Sequence, residues 1–473
     1  MGASDTTMMT DKKYYTWYIG CQMNAADTQR VASELEQRGY RATPDAEEAD
    51  VIVLNTCVVR QGAEDKVYGR LGSLKPLKER PNPPVIGLMG CLVGVKNPAP
   101  LRGRFPYVDV FLPPSEPGPL LAYLDGREWD ADAYYEEIRR RDRQDSFQDN
   151  ATTIVLPATA RGELVSAHVP IIYGCNHVCS FCIIPYRRGI ERSRSIGEIV
   201  ATVRSLAEQG VKEVTLLGQI VDRYGYDVPD GPRLPQLLRQ VHAVEGLERI
   251  RFLTSHPNYM TAELLDTVAE LPKVMEVIEV PVQAGDDEVL RRMRRGYTVE
   301  DYYRLVEQIR ARIPGVAIHT DIIVGFPGET EAQFMGTYRV LEELKLDKAH
   351  LAAFSPRPNT AAARWEDDVP EEEKERRRVA LDELQQRVVG EINANYLDQT
   401  VEVLVEDFHK GKWRGRTRTN KLVFFEDARD RKGQLVDVTI TWTGPWSMQG
   451  VPAEPAAQVP PIVPAGTLIP LPA

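Results

Sequence analysis

Three segments of this chain each read as an apolar strand that stops at a cysteine: YYTWYIGC at Cys21, DVIVLNTC at Cys57 and PVIGLMGC at Cys91. Between them, NAADTQRVASELEQRG and AEDKVYGRLGSLKPLKE read as helices. Strand–helix alternation builds a parallel sheet with right-handed crossovers. All strands of such a sheet point one way. The three cysteines are therefore expected along one edge, at the carboxyl ends where ligands bind. Three separately buried thiols are the plain alternative, because unpaired cysteine is among the most buried residue types. The coincidence of three strand ends argues against it.

The chain holds six cysteines in 473 residues, and its N-terminal stretch MGASDTTMMTDKKYYTW lacks the apolar core of a secretory signal, so a disulfide scaffold is not expected. The other three, Cys175, Cys179 and Cys182, form C-x3-C-x2-C within VPIIYGCNHVCSFCIIPYRRGIERSRS. Structural zinc sites and four-iron clusters both normally take four protein ligands, and neither set has a fourth. A single six-ligand zinc site is implausible, since the tight triad leaves no room for three strand-end thiolates. His177 lies between two of the cysteines, where its side chain is expected to point away. The economical reading is one four-iron cluster per triad, each with one iron open to an exchangeable group.

After Cys182, the runs KEVTLLGQ, RIRFLTS, MEVIEVPVQ, VAIHTDIIVGF and AHLAAFS are apolar and near-continuous, separated by amphipathic stretches such as DYYRLVEQIRARI. Such strands suit a sheet covered by helices and predict an open or partial β/α barrel, with its reactive centre at the carboxyl ends. Further on, QTVEVLVEDF, KLVFFED and QLVDVTITWTG alternate as half-buried strands do. They predict a small β-barrel, with a basic loop at 410–421 around Trp413 suited to phosphate neutralisation and base stacking. The expected fold class is α/β: an N-terminal open parallel α/β domain at 14–125, a linker at 126–167, a central partial barrel at 168–390 and a small β-barrel at 391–453. The Pro/Ala-rich tail at 454–473 is expected to be disordered.

Composition excludes some classes. No apolar run reaches the length of a membrane span, and a cytoplasmic location is expected. Gly2 and Thr6 match the N-myristoylation pattern, but no adjacent basic patch supplies a second anchor, so lipidation is not expected. A net charge of −11 argues against nucleic-acid binding over the whole surface. It leaves room for a local site, because screening confines each patch to about 8 Å. Basic residues do bunch, in YRRGIERSR, RRMRRG and HKGKWRGRTRTNK. For any one of these, a solvated face is the plain alternative.

The C-x3-C-x2-C motif with Phe181 before its last cysteine resembles the signature of radical S-adenosylmethionine (SAM) enzymes. GCQMN, NTCVVRQGAEDKVYGRLG and MGC resemble the amino-terminal domain of the methylthiotransferases within that superfamily. IIPYRRGIERSR, SHPNYM, PVQAGDDEVLRRMRRGYT, TDIIVGFPGETE and FSPRPNTAAA continue the likeness, and GRTRTNKLVFFE and GQLVDVTITWTGPWSMQG resemble an RNA-binding TRAM domain. The resemblance spans about residues 14–453, and is nearest to the branch acting on isopentenylated adenosine in tRNA.

It implies that Cys175, Cys179 and Cys182 bind the 4Fe-4S cluster that cleaves SAM to a 5′-deoxyadenosyl radical. It implies that Cys21, Cys57 and Cys91 bind an auxiliary 4Fe-4S cluster carrying the sulfur to be inserted. One SAM would methylate that sulfur and a second would generate the radical. The target would be carbon 2 of the isopentenyladenosine just 3′ of the anticodon. Gly218 and Gln219 would meet the SAM amino group, Ser255, Gln283 and Gly325 would line the same pocket, and the Phe181 backbone would meet the adenine. RNA contacts are expected from Arg187, Arg188, Arg192 and Arg194, and from Lys412, Trp413, Arg414 and Arg416. Implied partners are a tRNA anticodon stem-loop, a flavodoxin- or ferredoxin-like electron donor, and a sulfur- or cluster-loading system. The chain departs from the family pattern at Ile220, Glu279 and Ala284, around the SAM and substrate pocket. Alternatives are the same chemistry on threonylcarbamoyl-adenosine in tRNA or on a ribosomal-protein aspartate. From another class, the alternative is a non-catalytic, zinc-containing RNA-binding protein.

Overall fold

Each cysteine-ending segment is a strand in the computed structural model, which describes residues 12–453 apart from 59–60, 97, 128–132, 134–135 and 137–152. The N-terminal pattern at Gly2, most of the expected linker and the tail at 454–473 lie outside the described residues. The first sheet comprises β1 (Lys13–Tyr18), β2 (Arg41–Ala42), β3 (Val51–Thr56), β4 (Val85–Gly90) and β5 (Val110–Leu112). Its order is β2-β1-β3-β4-β5, and every pairing is parallel. All six residues of β3 are buried. That is what a β-branched run requires at the centre of a sheet covered on both faces.

The central domain runs through β6 (Ser166–Pro170), β9 (Glu213–Leu217), β10 (Arg249–Phe252), β11 (Val277–Glu279), β12 (Ala317–Val324) and β13 (Lys348–Ala353), with β7 (Ile172–Tyr173) and β8 (Arg192–Ser193) as a side hairpin. The two three-stranded sheets, β6-β9-β10 and β11-β12-β13, join through a parallel bridge between Ile250 and Val274, where the Met275 N–H donates to the Ile250 carbonyl at 2.8 Å. Six parallel strands thus follow one another in chain order, the expected partial barrel. Helices clad its outside, and polar side chains set where they begin. Ser195, Thr298 and Thr330 accept from backbone N–H groups at 3.1, 3.1 and 3.3 Å at the starts of helices Ile196–Glu208, Val299–Arg312 and Glu331–Leu344. Helix Glu371–Ala394 runs unbroken across the expected 390/391 boundary. Among the described residues, no helix is long and apolar enough to cross a membrane.

The last five strands, β14 (Thr400–His409), β15 (Lys412–Thr417), β16 (Leu422–Phe425), β17 (Leu435–Thr443) and β18 (Met448–Pro452), close into a barrel. Half of the expected basic loop is β15, and Trp413 points inward to join Val403, Val423, Phe425 and Ile440 in the barrel core. Its indole N–H donates to the Asp427 carbonyl at 3.1 Å. This corrects the reading of Trp413 as an exposed stacking platform. The alternation along β15 put it on the buried face, and the exposed ring beside it is Phe408.

The two flanking domains sit at opposite ends of the partial barrel. From the first, Met23 and Ala26 pack on Leu217 and Leu253, at the carboxyl ends of β9 and β10. The small barrel docks on the amino ends instead. Arg249, at the start of β10, donates to the Arg416 carbonyl at 2.7 Å and to Glu402 at 2.8 Å. Arg418 forks onto Glu276, and Lys421 meets Asp347 at 2.7 Å. Arg249 is fully buried, so truncating it strands its partners without hydrogen bonds. Arg249→Met is expected to lower the stability of the docked barrel by about 2 kcal/mol. An unchanged urea midpoint relative to wild type would rule out this anchor.

Candidate active site

Glycines admit the close approach at the first triad. Gly20 has φ +140, and a Cβ there would lie 2.7 Å from the Cys57 Cβ and 2.6 Å from Asn24 Oδ1. Gly90 has φ +102, and a Cβ there would lie 2.4 Å from Asn55 Oδ1. Two buried amides lock the strand ends together. Asn24 Nδ2 donates to Asn55 Oδ1 at 2.8 Å, while Asn55 Nδ2 donates to the Asn24 carbonyl at 2.9 Å. The Cys91 N–H completes the frame by donating to the Thr56 carbonyl at 2.9 Å. Cys57 and Cys91 are buried and Cys21 is exposed. Burial pushes the Cys91 thiol up to about 11, and the neighbouring Cys57 and Cys21 sulfurs add to that rise. The three sulfurs therefore share one locality, as the strand-end pattern predicts.

The second triad lies in the loop spanned by the β7–β8 hairpin, whose strands pair Ile172 with Ser193 and Tyr173 with Arg192. Burial pushes Cys175 to about 11 and Cys182 to about 12. Binding metal to such thiols must release protons. Arg295, buried, donates from Nη1 to Cys179 Sγ at 3.4 Å and from Nε to the Tyr297 hydroxyl at 3.0 Å. His177 turns away as expected: its Nε2 meets the Tyr259 hydroxyl at 3.0 Å, and its ring lies 4.7 Å from that of His256. Among the described residues, no three His, Cys, Asp or Glu side chains are gathered tightly enough to hold a single metal ion.

The expected SAM residues other than Phe181 follow carboxyl ends of barrel strands. Gly218 and Gln219 come after β9, Ser255 after β10, Gln283 after β11 and Gly325 after β12. Gly218 is required by packing, since a Cβ would meet Ile172 Cγ2 at 2.2 Å. Gln283 has φ +70 and is tied to β12 through Asp321 and Ile323. The Ser255 hydroxyl is buried without a hydrogen-bond partner, as is His256 Nε2. Buried polar atoms left unpaired suit a polar ligand at this spot. Gly325 plays another part: a Cβ there would strike Lys374 Cγ at 2.2 Å, and its N–H donates to Glu329 at 2.6 Å, so its bareness serves helix packing. Phe181 packs into the apolar cluster of Ala284, Met293 and Phe326, which steadies the triad loop. Of the departing residues, Ile220 and Ala284 are buried, and burial raises the Glu279 carboxyl, which accepts from Thr254 Oγ1 at 3.3 Å.

Several expected RNA contacts are otherwise engaged. Arg188 is buried and paired with Asp27 at 3.1 Å, and is corrected here to an interior residue. Arg194 is also corrected: its side chain is mostly buried, donating to the Pro170 carbonyl at 2.7 Å and Thr202 Oγ1 at 3.0 Å. Arg192 meets Glu116, Arg414 meets Asp407, Arg416 meets Glu406 and Lys412 meets Glu426, all while partly exposed. Arg187, half-buried beside Gly94, makes no ion pair among the described residues. Sequence reasoning had not singled out Asn24, Asn55 or Arg295, although all three stand within or beside the motifs that carry the resemblance.

Two cysteine triads, one at the carboxyl edge of the first sheet and one in the loop that follows β7, joined to a small β-barrel, fit a radical SAM methylthiotransferase. The chain matches the Radical SAM superfamily over residues 169–341, the uncharacterized protein family UPF0004 over 13–113 and the TRAM domain over 395–452. It is 48% identical over 445 residues to a tRNA-2-methylthio-N(6)-dimethylallyladenosine synthase of Roseiflexus sp. (strain RS-1), covering 93% of this chain and 90% of that one. It is 46% identical over 447 residues to the synthase so named in Herpetosiphon aurantiacus, covering 93% and 98%. The chain belongs to this family of tRNA-2-methylthio-N(6)-dimethylallyladenosine synthases, the MiaB type. Among solved structures, the radical SAM methyltransferase TsrM from Kitasatospora setae shares the fold, with TM-score 0.56 and 15% identity over 75% of this chain and 77% of that one. The family implies a 4Fe-4S cluster and SAM as cofactors.

Asp222 ties two of the strand-end loops together, since both its carboxylate oxygens accept from the His256 N–H at 3.0 Å. Burial raises its carboxyl from 3.8 to about 8. The folded protein therefore binds a proton that the unfolded chain has lost, and this group's contribution to stability falls as pH rises from about 4 to 8. The slope is about 1.4 kcal/mol per pH unit. Asp222→Asn is expected to gain on wild type in urea unfolding steadily from pH 5 to 8. A difference independent of pH would refute the buried neutral carboxyl.

Proposed function

We propose that the chain inserts a methylthio group at carbon 2 of N6-isopentenyladenosine beside the tRNA anticodon, in the cytoplasm, using two 4Fe-4S clusters and two SAM molecules per turnover. The observation that carries this reading is the presence of two three-cysteine sets, one at the carboxyl edge of the first sheet and one in the loop that follows β7. When bound, the cluster at Cys175, Cys179 and Cys182 supplies the electron that breaks SAM, and the one at Cys21, Cys57 and Cys91 supplies the sulfur. The chain's own groups bind, orient and exclude water around them. Arg295 fixes Cys179 from behind, and the Ser255 hydroxyl is free to meet a polar group of SAM.

The acceptor nucleotide must leave its stack to reach a buried centre, which suits a loop base rather than a paired one. Tyr186 is exposed on the segment leaving the second triad and offers it a face for stacking. Arg187 beside it carries positive charge not committed to an acid among the described residues. The small barrel, docked at the far end, reaches RNA outside the reacting loop through partly exposed Lys412, Arg414 and Arg416. A flavodoxin- or ferredoxin-like donor and a sulfur- or cluster-loading system complete the reaction.

Anaerobic iron and sulfide analysis of wild type and the Cys175/Cys179/Cys182→Ala variant tests the reading. About eight irons falling to about four, with loss of the SAM-sensitive electron paramagnetic resonance signal, is expected. About four irons in wild type would end the two-cluster proposal. tRNA bearing isopentenyladenosine should then gain mass at that base with the wild type and not with the variant.

A further inference from the structure

Helix Ile184–Arg188 starts two residues after Cys182 and ends inside the other domain. Its five residues span about 7.5 Å of helical rise between the second triad and the first domain. Its last residue, Arg188, leaves only 3% of its side chain exposed. One edge of the guanidinium is held firmly. Nη1 donates to Asp27 Oδ2 at 3.1 Å and to Ser115 Oγ at 3.4 Å, and Ser115 Oγ in turn donates to Asp27 Oδ1 at 2.6 Å. Asp27 stands six residues beyond Cys21 on the helix that Cys21 begins. The guanidinium also lies by the Cys91 and Cys21 sulfurs and interacts with Cys91, while its Nε and Nη2 make no hydrogen bond of good geometry. Two buried cationic N–H donors without a well-formed acceptor are costly, and beside a cysteine triad a ligand that brings acceptor atoms would offset that cost.

We propose that Arg188 is a positioning residue of the N-terminal centre. Its Nε–H and Nη2–H donate to sulfur atoms of the iron–sulfur group held by Cys21, Cys57 and Cys91. Hydrogen bonds to cluster sulfurs raise the reduction potential and fix their orientation. Because Arg188 ends the short helix that follows Cys182, that centre is also tied to the SAM-cleaving one through this helix. The inference rests on the two-cluster reading above.

The test uses full-length protein carrying the Cys175/Cys179/Cys182→Ala substitution, so that only the N-terminal centre can bind iron, with 15N-labelled arginine. The first readout is pulsed electron paramagnetic resonance of the reduced centre. A 15N hyperfine coupling is expected, and it should vanish in Arg188→Lys. The second is a redox titration of the same pair. Lysine keeps the ion pair with Asp27 but has no fork to reach the sulfurs. The reduction equilibrium should therefore become about tenfold less favourable, a midpoint about 59 mV lower for one electron. A merely structural role through Asp27 would leave the midpoint unmoved in Arg188→Lys, and that result overturns the proposal. If the lysine variant loses iron, the labelled parent decides alone: no 15N coupling there overturns it. No iron in the parent would instead bring down the two-cluster reading and this inference together.

Discussion

Met23 and Ala26 lie against Leu217 and Leu253, and the placement of the site depends on that small apolar contact. A parallel sheet presents its reactive edge in one direction only, because every strand runs the same way. Two such sheets in one chain make one composite site only if their carboxyl edges face each other. The helix starting at Cys21 provides the contact. Its first turn rests on the ends of β9 and β10, while its N-terminal residue is itself a triad member. Burying these side chains removes apolar surface from water and fixes the separation of the triads with no tether beyond the chain.

Polar contacts then specify what the apolar contact only holds together. The Arg188–Asp27 pair crosses the same interface with both side chains buried. A buried ion pair is a weak source of stability, because desolvation offsets the attraction. Its value here is geometric, since any shift of one domain on the other would leave a charge unpaired in the interior. The amide lock of Asn24 and Asn55 works in the same way within the first domain, where the Asn55 side chain both accepts from the Asn24 side chain and donates to the Asn24 backbone carbonyl.

The small barrel occupies the opposite end of the molecule, and its basic residues are divided between two tasks. Arg418 and Lys421 are used to dock, against Glu276 and Asp347 at the amino ends of the strands. Arg414 and Arg416 pair with acids of β14 but keep part of their surface in water. A cluster that looks like one positive patch along the chain is therefore split by the fold into an anchor and a remaining face. Chain-level counting of charge cannot make that division, because it depends on which acids the folded surface brings near.

Much of this was legible in the residues alone. Apolar runs ending at Cys21, Cys57 and Cys91 sufficed for a parallel sheet with the thiols on one edge, because strand direction follows from connectivity. Ser255 and Gln283 came from the family resemblance and stand after the carboxyl ends of β10 and β11, while the turning away of His177 followed from its place between two cysteines. What sequence could not settle were matters of facing and partnership. Trp413 was read as a stacking ring, and its place on the inward face of β15 in the closed barrel put it in the core. Gly325 matched a pocket position, yet its missing side chain makes room for Lys374, from a helix almost fifty residues further along the chain. Arg188 looked like one more charge in a basic run. Burial at a domain interface decided its role, because a side chain's solvation and partners are properties of the assembled surface rather than of its neighbours in sequence.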